Sequence, residues 1–154
     1  MANQRNPTHI MGISLLHKCN FSCEHCGYIY VGDAEDHGIR PGYSLTWDQV
    51  RTAINDCASL EKSYWNMNYT GGEPTLWTED GKDLVDVLIA TAKGNALPTY
   101  NTNGSLFDDY APCHEFFHRY LDNCDIPLKT FISMDKFHKN YDQKTGRAKS
   151  LDTL

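Results

Sequence analysis

The sequence predicts an α/β fold with a parallel sheet, on the strength of three observations. Short apolar runs typical of strands alternate with segments whose apolar residues recur at helical spacing. The stretches between successive apolar runs are long enough for the crossover helices that parallel strands need. Polar motifs follow the apolar runs, at the strand ends where parallel sheets bind ligands. The 154 residues fit one domain, residues 1–154, which we expect to bury roughly 70% of the surface of the unfolded chain.

The first half of the chain is predicted to hold two strands, residues 8–16 and 64–69, separated by a polar connection and a helix. The connection, residues 27–43, has neither helical nor strand periodicity. Thr46 is the expected N-cap of the helix, because Gln49 three residues later completes a capping box. The apolar stripe of this helix, which should bury against the sheet, consists of Trp47, Val50, Ile54 and Cys57.

The second half is predicted to repeat the pattern, with strands at residues 98–102 and 129–134 and helices over about residues 81–93 and 112–123. Gly94 is the expected C-cap of the first of these helices. The apolar stripe of the first helix is Leu84, Val85, Leu88, Ile89 and Ala92, and that of the second is Cys113, Phe116, Phe117, Tyr120, Leu121 and Cys124.

Composition argues against several classes of partner. A formal net charge of −6 disfavours both a nucleic-acid backbone and an anionic membrane surface as the main partner. No run of 18 apolar residues is present that could cross a bilayer. The polar residues 1–8 lack the apolar stretch of a secretory signal, so we expect a cytoplasmic, reducing environment.

The six cysteines fall into two groups. Cys19, Cys23 and Cys26 follow the first strand at C-x3-C-x2-C spacing, which in a chain without a signal peptide predicts a metal site rather than disulfides. A [4Fe–4S] cluster normally takes four cysteines, so three would leave one iron open to another ligand. The remaining cysteines, predicted to be inert thiols on apolar helical faces, are Cys57, Cys113 and Cys124.

Together with the motifs at the later strand ends, this cysteine loop resembles the core of the radical S-adenosylmethionine (radical SAM) superfamily. Gly71-Gly72-Glu73-Pro74 follows the second strand, Asn101-Thr102-Asn103-Gly104 the third, and Ser133-Met134-Asp135 closes the fourth. The resemblance implies a partial parallel (β/α) barrel of radical SAM type. The superfamily core has six βα units, whereas strands five and six are not evident here. We therefore expect a barrel truncated after about four units, or one completed by something else, such as a second subunit.

The resemblance also implies the cofactors. Cys19, Cys23 and Cys26 would hold a [4Fe–4S] cluster, and the amino and carboxylate groups of S-adenosylmethionine (SAM) would bind the open iron. An electron from a donor such as flavodoxin or ferredoxin would cleave SAM to a 5′-deoxyadenosyl radical, which abstracts hydrogen from an unknown substrate. The cofactor performs the difficult chemistry, and the protein orients it.

The resemblance implies that the methionine amino group of SAM is bound by Gly71, Gly72 and Glu73. His25 stands near the adenine, where the family more often has Tyr or Phe. The other implied SAM-site residues are Pro74, Thr75, Asn103, Ser133 and Asp135. For His25 a solvated loop position, and for Asn103 an ordinary Asn-Gly turn, are open alternatives.

Two other functional interpretations stay open. Three cysteines and His25 could form a structural zinc site, although ligands at 23, 25 and 26 are crowded for a tetrahedron. The chain could also be a non-catalytic iron–sulfur protein that serves electron transfer or partner binding.

Overall fold

The computed structural model of the protein describes residues 9–21, 23, 25, 26, 42–60, 65–133, 141, 142, 147 and 148. Its strands are β1 (His9–Ser14), β2 (Trp65–Thr70), β3 (Thr78–Glu79), β4 (Lys82–Asp83), β5 (Leu97–Thr102), β6 (Lys129–Ile132), β7 (Tyr141–Asp142) and β8 (Arg147–Ala148). Its α-helices are α1 (Trp47–Ser59), α2 (Leu84–Lys93) and α3 (Tyr110–Leu121), and short 3₁₀ helices span Pro74–Leu76 and Ser105–Asp108.

A four-stranded sheet in the order β1-β2-β5-β6 organises the fold. All three strand pairs are parallel, with Ser14 opposite Thr70 and Thr102 opposite Ile132. The carboxyl ends of the four strands therefore lie side by side at one edge. Within the described residues the sheet is open, which confirms the predicted α/β fold with about four βα units of a partial barrel.

The two faces of β2 have different surroundings. Met67 and Tyr69 are fully buried in the main hydrophobic cluster, which also includes residues of α1, α2 and α3. The alternate residues Asn66 and Asn68 belong to the opposite face, where their side-chain oxygens accept hydrogen bonds from the Thr99 hydroxyl at 2.7 and 3.0 Å. At β2, the sheet thus has one apolar face covered by helices and one face with polar side chains.

Helix α1 follows the sequence prediction closely. The Thr46 hydroxyl accepts a hydrogen bond from the Gln49 N–H at 3.3 Å, and the Gln49 side chain accepts one from the Thr46 N–H at 2.9 Å. This confirms the capping box. Val50, Ile54 and Cys57 of the predicted stripe are buried, so the face of α1 was also predicted correctly.

Helix α2 begins later than predicted, at Leu84 rather than residue 81. Asp80 and Gly81 both have positive φ and form the tight turn between β3 and β4, and an Asp-Gly pair favours such a turn. Asp83 then caps α2 by accepting hydrogen bonds from the Val85 and Asp86 N–H groups. At the other end Gly94 is the C-cap, as predicted.

Helix α3 is shifted toward the N-terminus of its predicted range and ends at Leu121. Cys124 therefore lies beyond the helix, and Leu121, predicted to face the core, is 66% exposed. Arg119 of this helix reaches α2, where its Nη1 is 2.5 Å from Asp83 Oδ2 and its Nη2 is 3.2 Å from Asp86 Oδ2. These ion pairs tie the two helices together at their surface.

No helix in the described part of the chain has the length and apolar character needed to cross a bilayer.

Candidate metal centre and cofactor pocket

A cavity of about 300 Å³ lies at the carboxyl edge of the sheet, at the lower end of the volumes usual for small-molecule sites. The loop after β1 and the ends of the other three parallel strands all contribute to its walls. Its lining residues are Cys19, Phe21, Cys23, His25, Cys26, Thr70, Gly71, Gly72, Asn101, Thr102, Asn103 and Ser133. The structure therefore brings together the cysteine loop and the three later motifs, as parallel-strand geometry predicts.

The three loop cysteines all line this cavity as free thiols. Burial raises the pKa of the Cys19 thiol, and nearby Glu73 and Cys26 act in the same direction. The Phe21 N–H and the Asn103 side-chain amide, which both donate hydrogen bonds to the Cys19 sulfur, lower that pKa. A bound metal centre would supply the positive charge that stabilises the thiolate of this partly buried cysteine.

This donor set fits a [4Fe–4S] cluster, because cluster iron is held by cysteine thiolates and here three come from one short loop facing one cavity. A single zinc ion instead requires its ligands to converge at about 2.0–2.3 Å. Among the residues that the structure describes, no three His, Cys, Asp or Glu side chains could hold one metal ion. His25 is an exposed residue of the cavity wall.

The remaining described cysteines are separate from this cavity. Cys57 and Cys113 are buried and Cys124 is partly buried. Burial raises the pKa of all three thiols. This agrees with their predicted role as inert packing residues.

Gly71 and Gly72 let the chain after β2 pass against the base of the cysteine loop. A Cβ on Gly71 would lie 2.3 Å from the Leu16 carbonyl oxygen, and one on Gly72 would lie 2.2 Å from the Lys18 carbonyl oxygen. The Gly72 N–H donates to Leu16 O at 2.8 Å, and the Glu73 N–H donates to Lys18 O at 2.9 Å. Gly71 and Gly72 therefore allow the chain after β2 to lie close to the backbone just before Cys19.

Glu73 is fully buried and is not one of the residues that line the cavity. Its Oε1 accepts hydrogen bonds from the Thr75 hydroxyl at 2.6 Å, the Thr75 N–H at 3.2 Å and the Thr102 hydroxyl at 2.8 Å. Its Oε2 accepts one from the Asn103 N–H at 2.7 Å. Pro74 is buried at the start of the 3₁₀ helix beside it. A direct contact of Glu73, Pro74 or Thr75 with SAM stays a prediction.

Asn103 and Ser133 of the later motifs do line the cavity. The Ser133 N–H donates to Thr102 O at 2.8 Å, which places the end of β6 beside the end of β5. Asp135, one of the implied SAM-site residues, lies outside the described residues.

Sequence reasoning missed Asn20 and Ser105. The Asn20 side chain accepts a hydrogen bond from Asn103 Nδ2 at 2.8 Å and donates one to Ser105 Oγ at 2.9 Å. Asn20 is separated from each of these two partners by more than 80 positions in the sequence. The only signal in the sequence was that Asn20 lies inside the cysteine motif and Ser105 directly after the Asn-Gly turn.

Comparisons with known proteins agree with this geometry. The profile of the Radical SAM superfamily matches residues 13–154. A GTP 3′,8-cyclase of Microcystis aeruginosa (strain NIES-843 / IAM M-2473) is 31% identical over 106 residues, which cover 69% of this chain and 30% of that protein. A GTP 3′,8-cyclase of Acaryochloris marina (strain MBIC 11017) is 29% identical over 128 residues, covering 82% of this chain and 36% of that protein.

The chain thus spans about a third of the length of the curated relatives it matches. Members of the matched superfamily use a [4Fe–4S] cluster and SAM. The profile match extends over nearly the whole chain and includes the cysteine loop and the three later strand-end motifs. This chain belongs to the radical SAM superfamily.

Proposed function

We propose that the chain is a radical SAM enzyme, or the cofactor-binding part of one, in which Cys19, Cys23 and Cys26 hold a [4Fe–4S] cluster. The observation that carries this proposal is that the three thiols line the same cavity as the ends of β2, β5 and β6. SAM would occupy this cavity beside the cluster. A cytoplasmic location and an electron donor such as flavodoxin or ferredoxin belong to the same proposal.

When bound, the cluster and SAM together supply a carbon-centred radical that abstracts a hydrogen atom from the substrate. The residues of this chain bind and orient these groups. His25, an exposed residue of the cavity wall, would pack against the adenine, and Ser133, which lines the cavity directly after β6, would contact SAM. The buried carboxylate of Glu73 favours a positively charged ligand such as SAM through Coulomb attraction, with or without direct contact.

The test is anaerobic reconstitution with iron and sulfide, followed by reduction and electron paramagnetic resonance (EPR) spectroscopy with and without SAM. We expect a reduced-cluster signal that changes when SAM is added, together with formation of 5′-deoxyadenosine. Cys19→Ser should lose most of its bound iron. The matched control Cys124→Ser changes a partly buried thiol outside the cavity and should retain its iron.

The alternatives predict other results. A cluster signal that does not respond to SAM would favour an electron-transfer or partner-binding protein. Zinc binding without any cluster would refute the radical SAM chemistry of this chain. If SAM binds but 5′-deoxyadenosine does not form, a second subunit that completes the cavity becomes the next component to supply.

We further propose GTP as the first substrate to test, because both relatives described above are GTP 3′,8-cyclases. The similarity covers about a third of each relative, so the parts that recognise their substrate need not be represented in this chain. GTP should accelerate 5′-deoxyadenosine formation and disappear from the mixture in parallel. No effect of GTP, with SAM cleavage intact, would exclude it as the substrate.

A further inference from the structure

We infer that Asn103 is a positioning residue for the cluster ligand Cys19, and that Glu73 holds Asn103 in place for this role. The inference rests on the proposed function, in which Cys19 binds the cluster. In this inference, the carboxylate of the Gly-Gly-Glu motif positions Asn103, in addition to any contact that it makes with SAM.

The hydrogen bonds of Asn103 determine which side-chain atom faces the sulfur. The Ser105 backbone N–H lies 2.9 Å from Asn103 Oδ1. A backbone N–H can only donate, so the atom that it faces must be the amide oxygen rather than the nitrogen. The amide nitrogen then points to the cysteine loop, 3.6 Å from Cys19 Sγ and 2.8 Å from Asn20 Oδ1. Sulfur is a large acceptor, and this distance suits a hydrogen bond to it.

Asn20 completes a ring of hydrogen bonds with Asn103 and Ser105. Its oxygen accepts from Asn103, and its nitrogen donates to Ser105 Oγ at 2.9 Å. The loop that carries Cys19 is therefore attached to the segment after β5 through two side chains, in addition to the backbone bonds that it makes with Gly72 and Glu73.

Asn103 is itself held from the protein interior. Its backbone N–H donates to Glu73 Oε2 at 2.7 Å, and the neighbouring Thr102 hydroxyl donates to Glu73 Oε1 at 2.8 Å. Glu73 is fully buried, while Thr102 and Asn103 are 2% and 8% exposed. Buried hydrogen bonds to a carboxylate are short and costly to break, so this arrangement keeps Asn103 in one orientation.

A hydrogen bond to a ligand sulfur changes the reduction potential of a cluster. Reduction adds negative charge to the cluster and its sulfur ligands, so an N–H donor stabilises the reduced form more than the oxidised form. Removing the Asn103 amide should therefore lower the midpoint potential. A threefold change in the reduction equilibrium corresponds to about 30 mV, since a tenfold change is about 59 mV for one electron.

The experiment compares Asn103→Ala and Asn103→Asp with the unchanged chain. Alanine removes the donor to Cys19 and retains the backbone N–H that Glu73 binds. Aspartate retains an acceptor for the Ser105 N–H but places an anionic oxygen opposite the sulfur. The matched control is Asn123→Ala, which changes an exposed asparagine two residues after the end of α3. Circular dichroism checks that each variant folds.

Two quantities are measured. The first is the midpoint potential of the reconstituted cluster, by EPR-monitored redox titration. We expect a fall of about 30 mV or more for alanine, a larger fall for aspartate and no change for the control. The second, in the chain without a cluster, is hydrogen exchange at residues 19–21. We expect exchange there to become at least about fivefold faster in Asn103→Ala, because the loop loses a side-chain anchor.

These outcomes separate the inference from the proposed function. If the unchanged chain takes up a cluster, potentials of both variants equal to its own overturn the inference, whereas the ordered decrease supports it. If the unchanged chain takes up no cluster, the proposed function fails. In that case only the hydrogen-exchange measurement tests the role of Asn103. Faster exchange at residues 19–21 in Asn103→Ala supports a role of Asn103 in positioning the Cys19 loop, and unchanged exchange overturns it.

Discussion

Replacing Gly72 with alanine tests whether the Gly-Gly-Glu segment supports the cysteine loop. The added Cβ would lie 2.2 Å from the Lys18 carbonyl oxygen, 2.5 Å from its carbonyl carbon and 2.8 Å from the His17 carbonyl oxygen. All three are backbone atoms, so no flexible side chain can move aside. The two segments must separate, which strains or breaks the bonds from Gly72 N–H to Leu16 O and from Glu73 N–H to Lys18 O.

The expected loss of stability follows from these two effects. Overpacking a closely packed site costs about 1–3 kcal/mol, and each weakened backbone hydrogen bond adds about 1 kcal/mol. With two such bonds, we therefore expect Gly72→Ala to reduce the free energy of unfolding by about 3–5 kcal/mol. For a chain of this size this lowers the melting temperature by roughly 6–20 °C, at about 2–4 °C per kcal/mol. Displacing Lys18 also displaces the adjacent Cys19, so iron uptake should fall.

Urea denaturation followed by circular dichroism measures the first effect, and iron content after anaerobic reconstitution measures the second. The matched control is Gly12→Ala in β1, where an added Cβ meets no atom within 4 Å. This control should lie within about 1 kcal/mol of the unchanged chain and retain its iron. A Gly72→Ala variant as stable and iron-rich as the control would refute the supporting role.

Three further predictions follow from buried or paired groups. Burial alone would raise the pKa of Asp83, but hydrogen bonds and charge from Arg119 hold it below its usual value. The Asp83–Arg119 pair therefore contributes stability at pH values above the unfolded pKa of about 3.9, and this contribution is lost as the pH falls through the folded pKa. Arg119→Met should remove this contribution, so its free energy of unfolding should fall less in acid, by under about 1 kcal/mol, when urea titrations are repeated across pH. Tyr69→Phe removes a buried hydroxyl 2.5 Å from Thr91 Oγ1 and should cost about 1 kcal/mol in urea denaturation; no loss would mean that the bond contributes little. Thr102→Val removes a donor to a buried carboxylate and should cost about 1–3 kcal/mol by calorimetry, whereas an unchanged melting temperature would contradict the inferred network.

Local signals in the sequence were sufficient for most secondary structure. The capping box of Thr46 and Gln49 and the stripe behind it located α1, because both depend only on residues within a few turns of one another. The predicted start of α2 was wrong because Asp80 and Gly81, also a local signal, form a turn between two short strands. The exposure of Leu121 depends on where neighbouring elements end and was not predicted.

The candidate site could be predicted in part. Parallel strands bring their carboxyl ends to one edge, so motifs that follow successive strands must converge, and Cys19, Asn103 and Ser133 do line one cavity. The contacts that each side chain makes could not be predicted from the sequence. The contact of Glu73 with SAM stays a prediction, and the sequence did not indicate that the Glu73 carboxylate is buried among Thr75, Thr102 and Asn103.

By itself, therefore, the sequence determined the parallel α/β architecture, the cysteine loop, the superfamily and the strand edge that carries the site. The architecture and the strand edge follow from periodicity and from the order of strands and motifs, whereas the superfamily follows from the resemblance of the cysteine loop and the later motifs to that superfamily's core. Only the tertiary structure decided that Gly71 and Gly72 pass against Leu16 and Lys18, and that Asn103 presents its amide nitrogen to Cys19. The physical reason is that these contacts join segments far apart in the chain and depend on distances within a few tenths of an ångström.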